Sequence, residues 1–350
     1  MIKLSELDHN ASPPASLSQR GYQAVGRAMR IGRFWLGLML SGGAAYLAIR
    51  TTDLDRVRHA FSEANPIWVA LALASVLMTV GVKAARWRAL YPRTGRRPRF
   101  RALTMALLIG MTANLLAPAR LGELARIYVV ERLEGQSKAL SLSTIAIEKW
   151  ADLIMLLLTF AALLPFFSWP TWLTAWGQRL AWLASALTAT LVASLFFLNR
   201  MHSLAERVAC CLPARWSNSV LGIWHAIQEG LFALRTVPQI GALLGWTLMV
   251  WLVSASTNLL LLRALALPSS LLIALTLLVI LQAGNALPSS PAKIGTFHYL
   301  AILGLGLFDI PQDVALAFAV WLHLVVVVLL IGLGILCLMW ISFVAERKPT

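Results

Sequence analysis

The chain is poor in acid. Its 350 residues hold 30 lysines and arginines against 15 aspartates and glutamates, and charged residues make up only 13% of the whole. Soluble domains carry about a quarter charged residues, so this composition excludes an ordinary one. Cysteine is scarce too. Cys210 and Cys211 are adjacent and Cys337 stands in an apolar run, a pattern that supports neither a disulfide framework nor a zinc site. The sequence has no nucleoside-phosphate loop, no paired metal ligands and no nucleophile–base arrangement, so no ATP hydrolysis, metal or other cofactor is expected of it. There are no ten-residue alternating segments of the kind that build outer-membrane barrels. No soluble basic domain is available to bind nucleic acid. A cleavable signal is not expected, because the charged N-terminal region is long and no small-residue cleavage site follows a short apolar core.

What is present is apolar: 59% of the residues are hydrophobic, in long runs. This predicts an all-α polytopic membrane protein, with about six full transmembrane helices and two re-entrant helical hairpins. Residues 1–33 read as a disordered basic tail, and 34–49 as a first span. After loop 50–65, Asn65-Pro66 opens a second span to about Val82, with proline in its tolerated first turn. Residues 83–101 carry Lys83, Arg86, Arg88, Arg93, Arg96, Arg97, Arg99 and Arg101 with no acid, which marks this loop as cytoplasmic. Spans follow at 139–164 and 179–198. Residues 199–237 form a linker with an amphipathic helix on the inner surface, and spans at 239–262 and 314–343 complete the chain. The first membrane half is thus 34–198 and the second 238–345, with both termini in the cytoplasm of a bacterium and the chain in its cytoplasmic (inner) membrane.

Two stretches interrupt the apolar pattern. Pro118-Ala119-Arg120-Leu121-Gly122 and Pro291-Ala292-Lys293-Ile294-Gly295 are identical by residue class, and each has an asparagine upstream, Asn114 and Asn285. Proline breaks a helix and glycine permits a reversal. Pro118 and Gly122, and Pro288, Pro291 and Gly295, therefore predict hairpins near 102–133 and 270–308. In hydrocarbon such breaks survive only inside protein or beside a watery cavity. With the span directions above, the first hairpin enters from the cytoplasm and the second from outside, giving two halves of inverted topology. Broken segments at corresponding places in two halves point to a transport site.

The ionisable residues near the breaks are Arg120, Glu123, Arg126, Glu148, Lys149, Asp152, Lys293 and His298. One reading is a cationic pocket in which Arg120, Lys293, Arg126 and Lys149, with Asn114 and Asn285, hold an anionic lipid headgroup. Glu123, Glu148, Asp152 and His298 would then orient the bases or carry protons. Arginine's planar fork suits phosphate oxygens, and helix ends at the breaks offer N–H donors. The other reading is that the acids and arginines form neutralising pairs that hold the hairpin together.

The run from Asn114 to Arg126, followed by Glu148-Lys149-Trp150-Ala151-Asp152, resembles the lysylphosphatidylglycerol synthase transmembrane-region family. That family includes the flippase module of bacterial multiple peptide resistance proteins and many stand-alone flippase-like membrane proteins. Pro288-Ser-Ser-Pro-Ala-Lys-Ile-Gly-Thr-Phe-His298 resembles its second Pro/Gly-rich motif. The resemblance covers roughly 35–343. Lys149 stands where the family has arginine, Ala292-Lys293 where a second glycine is frequent, and His298 where an acid is common. The large family members add a soluble aminoacyl-transferase domain, for which this chain has no room, so lipid aminoacylation is not expected. The resemblance implies a transporter moving an anionic phospholipid or a polyprenyl-phosphate-linked lipid between leaflets. A membrane enzyme using Glu148 or Asp152 as base, and an accessory scaffold for lipid or cell-envelope synthesis, are the alternatives. The partners implied are membrane lipids, with a homo-oligomer or lipid-synthesis enzymes left open.

Cysteine-accessibility labelling tests the topology. A cysteine in 93–99 should react only from the cytoplasmic side and one in 309–313 only from outside; cytoplasmic labelling of 309–313 would remove the inverted arrangement.

Overall fold

The computed structural model describes residues 39–50, 52–92, 97–116, 121–167, 237–285 and 290–346, with isolated positions between 178 and 210. Helices and short turns account for all of its regular structure, and no strand occurs among the described residues. In chain order the helices are α1 (Met39–Ile49), α2 (Leu54–Ser62), α3 (Pro66–Leu90), α4 (Phe100–Leu116), α5 (Gly122–Glu134), α6 (Lys138–Leu163), α7 (Val237–Ala264), α8 (Leu271–Gly284), α9 (Thr296–Gly306), α10 (Gln312–His323) and α11 (Leu329–Glu346). A π-helical turn, Leu324–Val328, joins α10 to α11 without ending the helix.

Among the described residues, four stretches are long and apolar enough to cross a bilayer: Pro66–Leu90, Lys138–Phe166, Pro238–Ala264 and Gln312–Phe343. Their outward faces are apolar, with Leu77, Leu158, Leu252 and Leu336 all exposed. Polar side chains such as Ser75, Thr247, Thr257 and Asn258 are buried instead. That inversion of the soluble pattern is the mark of a protein solvated by lipid. The chain is a multi-pass membrane protein.

Local chemistry sets the helix ends. Asn65 caps α3 by accepting from the Ile67 N–H at 3.0 Å, ahead of Pro66 in the first turn. Ser270 caps α8 through the Ile273 N–H at 3.2 Å, and Gly135 closes α5 in the left-handed region. Helix α3 runs on to Leu90, so Lys83, Arg86 and Arg88, expected in a loop, are helical. The expected outer loop 50–65 contains α2, which packs on α10 by stacking Phe61 on Trp321 at 4.4 Å.

Helices α3 and α7 form the central pair. Ser75 ties them, bonding the Val253 carbonyl at 2.9 Å and the hydroxyls of Ser256 and Thr257 at 3.0 and 2.9 Å. Asn258 donates to the Ala274 carbonyl at 3.1 Å and joins α7 to α8. The main apolar cluster lies beside these bonds and gathers Val76, Leu108, Leu261, Leu277, Leu305 and Phe318 from both halves.

Two pairs of short helices pack against one another, α4 on α5 and α8 on α9. The first pair closes on glycine. A methyl at Gly110 would lie 2.7 Å from the Gly122 carbonyl oxygen, and one at Gly122 would strike the Gly110 carbonyl. The same device sets α11 on α4, where a methyl at Gly334 would strike Thr112, whose hydroxyl donates to the Leu330 carbonyl at 2.9 Å. Residues 34–38 of the expected first span at 34–49, the expected span at 179–198 and the linker helix lie outside the continuously described residues.

Gly122→Val should therefore force α4 and α5 apart and cost about 1–3 kcal/mol, as overpacking does. Gly81→Ala, where the added methyl meets nothing within 4 Å, should be neutral or stabilising by up to about 1 kcal/mol. Thermal unfolding in detergent, followed by tryptophan fluorescence, measures both.

Candidate functional site

The ionisable residues sort into two groups. The first is a closed network. Arg126 of α5 makes a two-point contact with Glu148 of α6, at 3.2 and 2.8 Å. Arg86 of α3 makes a second with Asp152, at 2.5 and 3.2 Å, and reaches Glu148 at 3.3 Å and the Thr247 hydroxyl of α7 at 3.3 Å. Glu148 and Asp152, one turn apart, thus meet two guanidinium groups from different helices. Trp87 lies under Arg126, with the guanidinium carbon 4.0 Å from the ring centre, and donates to the Thr144 hydroxyl at 3.0 Å. Arg86, Arg126 and Glu148 are all buried. In such surroundings each guanidinium requires its carboxylate, and the pairing cancels charge.

Glu123 and Lys149 form a more open pair at 3.3 Å, with side chains 26% and 55% exposed. Asn114 accepts from the Gly122 N–H at 2.8 Å and donates to Glu123 at 3.4 Å. One orphan N–H at the start of α5 is thereby satisfied from within the hairpin rather than offered to a ligand. Arg120 and Pro118 lie outside the described residues, as does Pro288.

The second group surrounds a cavity of about 240 Å³ between α3, α4, α7, α8, α9 and the π-turn. Val76, Thr79, Val80 and Lys83 present one face of α3 to it. Across from them stand Lys293, Asn285 and Gln282 of the second break, with Asn258, Thr257 and Ser254 of α7 and His323 of α10. Met111 and Leu115 of α4 bring the first hairpin to the same wall. The Lys293 ammonium donates to the Asn285 amide oxygen, and the Asn285 amide donates to Gln282 at 2.6 Å. Two lysines line this cavity and no carboxylate does, among the described residues. The partly buried Lys83 makes no hydrogen bond or ion pair among the described residues, although Asp152, held by Arg86, acts on it electrostatically.

The backbone at the second break is unusual. Ala292 and Lys293 both adopt positive φ, at 55° and 59°, and Gly295 lies at 91°. A side chain at Gly295 would collide with the Ser41 carbonyl of α1, and Ser41 accepts from the Ser290 N–H at 2.8 Å. Non-glycine residues in this region cost about 1–3 kcal/mol each, and the surroundings must hold them there. Here α1 and Asn285 do so, and they aim Lys293 into the cavity.

Of the sequence candidates, Lys293 and Asn285 come together at the cavity, and His298 stacks on its lining residue His323 at 4.9 Å. Arg126, Glu148 and Asp152 gather in the closed network, and Asn114, Glu123 and Lys149 at the first hairpin. Lys83, Asn258, Gln282 and His323 were not expected in a binding site. Lys83 had a readable signal: it continues the Val76, Thr79, Val80 stripe by one turn once α3 is extended past Val82.

A model of the lysylphosphatidylglycerol synthase transmembrane region matches residues 34–334. The chain belongs to this family. Among similar proteins, a UPF0104 membrane protein of Methanocaldococcus jannaschii is 21% identical over 308 residues, covering 84% of this chain and 91% of that protein. The glycosyltransferase AglD of Haloferax volcanii is 30% identical over 118 residues, which is 34% of this chain but only 19% of AglD. No solved structure matches the chain. Both synthase-region motifs thus fall inside the family match, one beside the closed network and one at the cavity.

The two charge groups should respond differently to mutation. Glu148→Ala leaves Arg126 without its carboxylate and should lower stability by about 3–5 kcal/mol. Lys149→Ala breaks a half-exposed pair and should cost less than about 1 kcal/mol. Thermal melts of the purified variants in one detergent distinguish the two.

Proposed function

We propose that this protein moves a lipid with an anionic headgroup between the leaflets of the cytoplasmic membrane, holding the headgroup between Lys83 and Lys293. The observation that carries this reading is a partly buried lysine, Lys83, with no ion-pair partner among the described residues, lining a cavity that a second lysine also lines and no carboxylate does. An ionic group at such depth is costly unless something compensates it, and a ligand anion supplies that compensation. Amides of Asn258, Gln282 and Asn285 add neutral polar contacts. At about 240 Å³ the cavity is smaller than the roughly 300–1,000 Å³ that encloses a drug-sized ligand, so it suits a headgroup whose chains stay in the bilayer.

The cavity draws walls from both short helix pairs, as alternating access around one site requires. The hairpins would be re-entrant and of opposite orientation, with both termini cytoplasmic. Arg120, at the position of Lys293 in the first break, remains a candidate contact from the other hairpin. Arg126 acts in this reading as a strut, not as a headgroup ligand.

A lipid-modifying enzyme is the second reading, and the partial similarity to AglD favours it. Against it, Glu148 and Asp152, the carboxylates that would serve as base, are both engaged by arginines.

In liposomes, the purified protein should redistribute a fluorescent phosphatidylglycerol between leaflets, read by one-sided quenching, without changing its mass. Lys83→Ala and Lys293→Ala should each slow redistribution at least tenfold, with Glu at either position worse. Alanine at exposed Arg132 should leave the rate unchanged. A new covalent product would favour the enzyme, and equal rates in all variants would overturn the headgroup site.

A further inference from the structure

His323 is the last residue of α10, directly before the π-turn, and its ring lines the cavity. Its Nδ1 is buried and has no hydrogen-bond partner among the described residues. His298 of α9 stacks on it, centroids 4.9 Å apart and planes 28° from parallel, and Phe297 closes the edge of both rings at 5.9 and 5.4 Å. Single π-turns within α-helices concentrate at functional positions because they re-aim side chains and loosen the hydrogen-bond ladder.

We propose that the His298–His323 pair is a proton site of the cavity, and that an entering anion brings one proton with it. The proposal rests on the headgroup reading of the cavity. Stacked imidazoles this close cannot both carry charge without strong repulsion, so the pair takes up at most one proton beyond its neutral state and titrates as a unit. The other charged groups that face the cavity are Lys83 from α3 and Lys293 from the second break. Helix α8 has no titratable side chain, and α7 presents only Ser254, Thr257 and Asn258 here. On α9 the neighbouring titratable residue is Tyr299. On α2, Arg56 turns to Asp53 and Asp313, His59 pairs with Glu63, and Asp55 and Arg58 are exposed. The empty cavity therefore opposes a further positive charge on the pair, and a bound anion stabilises it. By linkage, anion binding takes up a proton, and lower pH tightens anion binding. The same proton gives the carrier a means of coupling to a proton gradient.

The test uses full-length protein in detergent and dihexanoyl phosphatidylglycerol, whose phosphodiester keeps one charge from pH 5.5 to 8. Calorimetric titration in two buffers of different ionisation enthalpy counts the protons taken up. Wild type should take up between a half and one proton per lipid at intermediate pH, with Kd falling by up to tenfold per pH unit as pH falls. H298Q and H323Q should each lose most of that uptake and flatten the pH dependence of Kd to less than twofold per pH unit. Tight binding with no uptake and a flat pH profile, lost in K83A, would overturn the proton site and leave the headgroup site standing. Uptake unchanged in both histidine variants would also overturn it. No binding at any pH would overturn both. Should a variant fail to fold, the wild-type proton count decides alone.

Discussion

The constraint on which the structure depends is the cost of an uncompensated charge in a low-dielectric interior. Four buried or half-buried ionic side chains meet this constraint among themselves. Arg86, Arg126, Glu148 and Asp152 carry two charges of each sign, and their contacts join α3, α5 and α6, with Thr247 adding α7. Because the two-point contacts use the guanidinium forks, this network has little capacity left for a ligand. It fixes the first short helix pair to the long helices that carry the cavity.

The backbone poses a similar problem at the two breaks, and the same residue type answers it each time. Asn114 takes the Gly122 N–H, and Asn285 takes the Lys293 ammonium. In the first hairpin the amide satisfies the peptide chain and turns the break into a tight glycine contact between α4 and α5. In the second it holds a cation whose own backbone lies at positive φ. Two breaks of like sequence therefore have different outcomes among the described residues, one structural and one facing the cavity. Lys83 meets the cavity from the opposite side, and in the proposed function a ligand anion completes its charge balance.

Much of the architecture was legible in the sequence because it depends on local signals. Asn65-Pro66 predicts the start of α3, and the apolar runs around Gly122 and Gly295 predict the short helix pairs within a few residues. The charged residues were legible only as a set. Arg86 reads as one more loop arginine until Asp152, far along the chain, is seen to hold it in a helix α3 that runs past the expected end at Val82 to Leu90. Arg126 reads either as a ligand or as one member of a neutralising pair with an acid near the break, and the carboxylate that pairs with it is Glu148, on the next helix. Partner choice among ionic groups is set by helix packing, which periodicity does not encode. The stacking of His298 on His323 likewise depends on the register of α9 against α10.

The central claim is that the cavity between Lys83 and Lys293 is completed by an anionic headgroup. Native mass spectrometry of protein extracted in mild detergent, with the retained lipid identified by fragmentation, tests it most directly. The account predicts one retained anionic lipid per chain, enriched over its share of the membrane and lost when both lysines are replaced by alanine. Retention of zwitterionic lipid in proportion to its abundance, unchanged by those replacements, would contradict it.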